Sequence, residues 1–153
     1  MRGGQPIDVL PVLCGSYGHF VAGQADPAQD ATIAAFVAAV RPALAGRRAV
    51  VIAAGDLSHV GPAFGGVPQG VTERARVAMA DDAIIERMCA GDAEGFFAAI
   101  QRVGDRNNVC GLPPLYVALR LLAPARGARV AYDRCSADEE DTSFVSVGGV
   151  IFE

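Results

Sequence analysis

The run AVVIAA at residues 49–54 is apolar at every position and does not alternate with polar residues. A strand with one face in solvent would alternate, so this run predicts a strand that is covered on both faces. Strands of that kind occur inside parallel or mixed sheets that carry helices on both sides. The run therefore favours a layered α/β domain with residues 49–54 as its central strand.

The rest of the chain alternates between helix-like and strand-like patterns, as a layered α/β domain requires. Apolar residues recur at spacings of three and four in the first helix-like segment, Gly91 separates the next two, and the last opens with Pro113 and Pro114, which suit a first turn. The predicted helices cover residues 28–45, 71–90, 92–103 and 113–123. The predicted strands besides the central run cover residues 7–14, 128–135 and 143–152, with Pro11 making the first an edge strand.

The composition places the chain among soluble globular proteins. Its 153 residues are enough for a single domain with a buried core, and 52% of them are hydrophobic. No stretch reaches the roughly 18 apolar residues of a membrane span, and the N-terminus lacks the apolar region of a signal peptide. A net charge of −4 provides no basic surface for nucleic acid. We expect a cytoplasmic protein that binds neither nucleic acid nor membranes.

Asp56 and His59 follow the predicted central strand directly, with Gly55 before the aspartate. Ligands of open α/β sheets collect beyond the carboxyl ends of the strands, where this pair is expected. A carboxylate beside an imidazole can transfer protons or contribute to a metal site. Alternatively, Asp56 or Ser58 caps the next element and His59 is a half-exposed residue without a chemical role. The spacing alone leaves both interpretations open.

Cys110 lies in the segment DRNNVCGLPP, just before the helix that the two prolines open. The free N–H groups and the dipole of a helix start stabilise a thiolate, the form that ligates metals and attacks electrophiles. The alternative is a small buried residue that packs beneath the loop. Cys14 and Cys89 lie in apolar surroundings and are expected to pack, whereas Cys135 begins the acidic loop. No CxxC spacing occurs, so we expect reduced thiols.

Three further features carry weaker signals. His19 follows the first predicted strand and either reaches the same sheet edge or lies in a surface loop. The acidic run DEED at 138–141 lacks the spacing of an EF-hand, which favours a solvated loop. The glycine-rich segments at 61–66 and 146–151 do not match a phosphate-binding pattern, so no nucleotide cofactor is predicted.

Four short segments, in this order along nearly the whole chain, resemble the Memo family: IDVLPVLCGS, VVIAAGDLSHVG, NNVCGLPP and SFVSVGGVIF. The family includes the bacterial proteins called AmmeMemoRadiSam system protein B. The resemblance implies a three-layer α/β/α fold with a mixed sheet, similar to the class III extradiol dioxygenase (LigB-like) fold, with a metal-binding pocket at the sheet edge. It also implies that Cys110 is a metal ligand and that Asp56 and His59 line the same pocket.

The resemblance further implies a function. The cofactor would be iron or copper, bound by Asp56, His59 and Cys110. The protein would carry out a redox reaction in which His59 and Asp56 are catalytic. The alternative is a non-catalytic adaptor that binds a peptide or another ligand in the same pocket.

The sequence lacks the two metal-binding histidines that the family carries in a preceding half. It therefore resembles the second half of a Memo-like domain, truncated at the N-terminus. A sheet cut in this way would leave the strand at 7–14 with unpaired backbone groups. We therefore expect a homo-oligomer, or a partner chain that supplies the missing half.

Overall fold

The computed structural model describes residues 7–152 and contains most of the predicted helices and strands. The helices are α1 (Gly18–Val21), α2 (Ala31–Leu44), α3 (Val71–Cys89), α4 (Ala93–Gln101) and α5 (Leu112–Leu122). The strands are β1 (His59–Val60), β2 (Gly127–Ser136) and β3 (Phe144–Phe152), and short 3₁₀ helices cover Pro27–Gln29 and Pro62–Phe64. The predictions are confirmed for α2 to α5 and for β2 and β3, whereas α1 and β1 were not predicted.

Local hydrogen bonds explain where the helices begin. The Asp30 side chain accepts from the Ile33 N–H at 2.9 Å, and the Asp92 side chain accepts from the Gly95 N–H at 2.8 Å. These bonds satisfy N–H groups that the first turn of a helix leaves unpaired. Gly91 has a φ of 67°, which allows the turn between α3 and α4. No helix in the described part of the chain is both long and apolar enough to cross a membrane.

The sheet is antiparallel at every pairing among residues 7–152, with the strand order β1-β3-β2. Strand β3 is central: Phe144 and Val145 pair with β1, and the whole strand pairs with β2. The combination of helices and a small sheet is consistent with the predicted α/β class. The mixed sheet is not found in this part of the chain, because no parallel pair forms there.

Residues 7–14 and 49–54 are not strands, so the predicted edge strand and the predicted central strand are both wrong. Val50 is 84% exposed, Ile52 is 83% exposed and Leu13 is 100% exposed. An apolar run indicates that a segment favours burial, but it does not provide the neighbouring strands that a ladder requires. These two segments therefore lie on the surface with apolar side chains in solvent.

The buried core joins the helices to the segment that precedes β1. Phe96 and Tyr116 are completely buried between α4 and α5, and Leu57 is 2% exposed. A Cβ added to Gly148 of β3 would lie 3.0 Å from Leu57 Cδ1, so the glycine leaves room for the leucine against the sheet. Outside the core, Arg41 donates to the Arg120 carbonyl and links α2 to α5. Leu57 thus fixes the chain between Asp56 and β1.

Asp138 holds the connection between β2 and β3, where the sequence suggested only a solvated loop. Its carboxylate accepts the Thr142 N–H at 2.7 Å and the Thr142 hydroxyl at 2.8 Å. Hydrogen bonds from Ser143 and Thr142 lower the pKa of Asp138 from its ordinary value of 3.8 to about 2. The acidic run therefore contains one carboxylate that is part of the turn.

This hydrogen bonding predicts a pH dependence. The folded pKa lies below the unfolded one, so the contribution of Asp138 to stability is complete above 3.8 and is lost as the pH falls towards about 2. An NMR titration should place the carboxyl pKa near 2 in the folded protein, and Thr142→Val should raise it towards 3.8. A midpoint near 3.8 in the unaltered protein would show that the hydrogen bonds do not form.

Candidate metal site

Backbone hydrogen bonds join the segment before β1 to the loop before α5. The Gly111 N–H donates to the Asp56 carbonyl at 2.9 Å, and the His59 N–H donates to the Asn107 carbonyl at 2.7 Å. The Asn108 side-chain amide donates to the His59 carbonyl at 3.2 Å. Two segments about fifty residues apart in sequence are therefore held side by side, and each carries candidate site residues.

Two glycines permit this contact. A Cβ on Gly55 would lie 2.5 Å from the Gly111 Cα, and a Cβ on Gly111 would lie 2.7 Å from the Asp56 carbonyl oxygen. Any side chain at either position would separate the two segments. The same close contact therefore requires a glycine both before Asp56 and after Cys110, and the sequence did not reveal this.

The contact brings together Asp56, His59 and Cys110, the three residues singled out from the sequence. One ligand atom from each lies within 4.8 Å of the other two. The His59 Nε2 is 3.8 Å from the Asp56 Oδ2, and the Asp56 N–H donates to the Cys110 Sγ at 3.2 Å. A nitrogen, an oxygen and a sulfur donor therefore meet at one point on the protein.

Backbone carbonyls orient the His59 ring and favour one of its two tautomers. Its Nδ1 lies 3.1 Å from the Asn108 carbonyl oxygen and 3.3 Å from that of Leu57. Because carbonyl oxygens only accept, Nδ1 must carry a proton and donate it. In the neutral ring the Nε2 then keeps its lone pair, on the side that faces Asp56. A carbonyl bonded to the remote ring nitrogen is typical of metal-binding histidines.

The donor set fits a transition metal with open coordination positions. The His59 side chain is 18% exposed and that of Asp56 is 50% exposed, and Cys110 is also exposed, so solvent reaches the group. Thiolate, imidazole and carboxylate are the usual ligands of zinc, iron and copper. If all three bound a metal, at least one position would stay open for water or a small molecule, as in catalytic metal sites.

The other candidates lie elsewhere. His19 is exposed in α1, with its ring 3.8 Å from that of Phe20, and is not part of the three-residue group. Cys89 packs against the core, as predicted. Cys14 is partly buried, which raises the pKa of its thiol, and Cys135 is exposed on β2. Among residues 7–152, Cys110 is thus the cysteine placed beside both a histidine and an aspartate.

A buried polar network supports the group and was missed in the sequence. The Ser58 hydroxyl donates to Asp81 Oδ1 at 2.6 Å, and the Tyr132 hydroxyl donates to Asp81 Oδ2 at 2.9 Å. Ser58 and Asp81 are completely buried. Burial, followed by the neighbouring Asp81, raises the pKa of Tyr132 and keeps its hydroxyl a donor. The network attaches the residue next to His59 to helix α3 and strand β2.

One sequence signal could have revealed this network. Asp81 occupies the apolar stripe of α3, four residues after Val77 and three before Ile84, and all three are buried. A carboxylate in such a stripe requires buried donors. The partner Ser58 is not evident from spacing, because it lies 23 positions away.

The comparisons with known proteins agree with the resemblance noted above. A family model described as Memo-like protein matches residues 20–151, which include Asp56, His59 and Cys110. No curated protein and no solved structure matched the chain significantly.

Proposed function

The chain belongs to the Memo family, and on that premise we propose that Asp56, His59 and Cys110 bind one iron or copper ion that supports a redox reaction. The observation that carries this proposal is the grouping of three different donor atoms within 4.8 Å. The His59 orientation adds support, because the Nε2 lone pair faces the other donors. When bound, the metal would supply one-electron chemistry.

The protein's own residues then have separate roles. Cys110, just before α5, His59, oriented by carbonyls, and one oxygen of Asp56 would hold the metal. We assign proton transfer to the second oxygen of Asp56, since this side chain is half exposed and can exchange protons with solvent. A coordinated His59 has no free lone pair, so it can act as a base only in the metal-free site.

Elemental analysis of protein purified without chelator tests this function. We expect iron or copper close to one ion per chain, removed by a chelator and restored on reloading. Zinc as the sole bound metal would support the metal site but contradict the redox role, since zinc has no redox chemistry in proteins. Protein that binds no metal even on reloading would contradict the proposal and favour the adaptor alternative.

We also propose that the chain forms a homo-oligomer or pairs with a partner chain through the segments at 7–13 and 50–52. The supporting observation is that large apolar side chains in both segments face solvent. Ile7 is 83% exposed, Val9 80% and Leu10 70%, in addition to Leu13, Val50 and Ile52. Soluble proteins rarely leave clusters of such side chains uncovered, because burying them is favourable.

A charged residue in these segments should disrupt the assembly. We expect sedimentation of the unaltered chain at micromolar concentration to give a dimer or larger species. The double variant Leu10→Arg with Leu13→Arg should raise the dissociation constant at least about tenfold. Met79→Arg, at a 73% exposed position on α3, is the matched control and should not change it. If the unaltered protein is a monomer, homo-oligomerisation is contradicted and pairing with a partner chain is the alternative that stays.

A further inference from the structure

A groove of about 420 Å³ lies beside the candidate metal site. Its walls come from the β1 segment, the first half of α3 and the loop at 103–108. His59 belongs both to this groove and to the three-residue group. A molecule bound in this groove, which we call the His59 groove, would therefore contact one of the three residues of the candidate site.

One part of the His59 groove is apolar. Val60 and Val77 line it and are 7% and 5% exposed. The Phe64 ring stands edge-on to the His59 ring, with centroids 5.1 Å apart and an angle of 88° between the planes. This surface favours a hydrocarbon skeleton, since burying it removes apolar area from water.

The groove also carries two guanidinium groups and one carboxylate. Arg76 and Arg106 line it together with Glu73. None of the three takes part in an ion pair within residues 7–152. The Arg106 side chain donates one long hydrogen bond of 3.4 Å, to the Val103 carbonyl. Both arginines thus keep donors for a ligand, and the fork of a guanidinium matches the geometry of a carboxylate.

We propose that the His59 groove binds a small organic carboxylate. Its apolar skeleton lies against Phe64 and Val77, and Arg76 and Arg106 hold its carboxylate. The positive charge exceeds the negative charge of Glu73 by one, which favours an anion over a cation. As a statement about the substrate of the metal site, the inference rests on the proposed function, whereas the binding itself does not require the metal.

Calorimetric titration of the full chain after chelator treatment tests this inference. Benzoate and hexanoate are the probes, and benzamide is the uncharged control of the same shape as benzoate. We expect saturable binding of at least one carboxylate and at least tenfold weaker binding of benzamide. Arg76→Gln and Arg106→Gln should each weaken carboxylate binding by about tenfold. Arg102→Gln is the matched control, because Arg102 is exposed in the same region but does not line this groove.

Three results would overturn the inference: no saturable binding of either carboxylate, equal binding of benzamide, or an equal loss in Arg102→Gln. Because the titration uses metal-free protein, its result is independent of metal loading. Carboxylate binding without any metal uptake would support the inference about the His59 groove and refute the proposed function. Metal uptake without carboxylate binding would refute the inference about the His59 groove and leave the proposed function standing.

Discussion

Replacing Asp81 with alanine will lower the free energy of unfolding by about 2–4 kcal/mol. The change removes the acceptor of two hydroxyl groups, those of Ser58 and Tyr132, and the first of these is completely buried. Each donor left without a partner away from water costs about 1–3 kcal/mol. Urea denaturation followed by circular dichroism measures the effect.

The neighbouring residue provides a matched control. Asp82 also lies in α3, but its side chain is 52% exposed and pairs with Arg129 at 2.7 Å. Because exposed ion pairs contribute little, Asp82→Ala should cost at most about 1 kcal/mol. Equal losses for the two variants would show that the buried network does not stabilise the fold.

Removing the thiol at position 110 will abolish high-affinity metal binding. Changes to the residues that merely orient a metal ligand cost 10–100-fold in affinity, so we expect loss of the ligand itself in Cys110→Ala to cost at least about 100-fold. His59→Ala should have a comparable effect, because it removes the nitrogen donor of the group. Titration with Co²⁺ measures both variants, since a cobalt–thiolate bond has a strong near-ultraviolet absorption.

The chain contains a matched control for each change. Cys135 is the other exposed cysteine, and His19 is the other histidine. Cys135→Ala and His19→Ala should bind Co²⁺ as the unaltered protein does, including the thiolate absorption. If Cys135→Ala lost binding and Cys110→Ala retained it, the metal would lie outside the proposed site.

Much of the fold follows from local patterns in the sequence. The spacing of apolar residues located α2, Gly91 separated α3 from α4, and two prolines marked the start of α5. The residues that begin helices also act locally, as the hydrogen bond between Asp30 and Ile33 illustrates. The apolar segments at 7–14 and 49–54 were misassigned because a strand needs partners that its own sequence does not specify. Local signals therefore predicted the helices correctly, but they did not show that these two apolar segments lack partner strands.

The candidate site shows the same division between local and distant information. The sequence indicated Asp56, His59 and Cys110 through their positions beside a turn or a helix start, combined with the family resemblance. It could not indicate that the Asn108 carbonyl fixes the His59 ring, nor that Gly55 touches Gly111, because both contacts join residues about fifty positions apart. Such contacts depend on the packing of the whole chain.

The central claim is that one metal ion binds the sulfur of Cys110 and the imidazole of His59 at the same time. X-ray absorption spectroscopy of the iron- or copper-loaded protein measures the neighbours of the ion directly. We expect one sulfur at about 2.3 Å and nitrogen or oxygen donors at about 2.0–2.2 Å, with an imidazole signature, by analogy with zinc sites. The sulfur should vanish in Cys110→Ser, and the imidazole signature should vanish in His59→Ala. A spectrum of oxygen donors alone, unchanged in both variants, would contradict the claim.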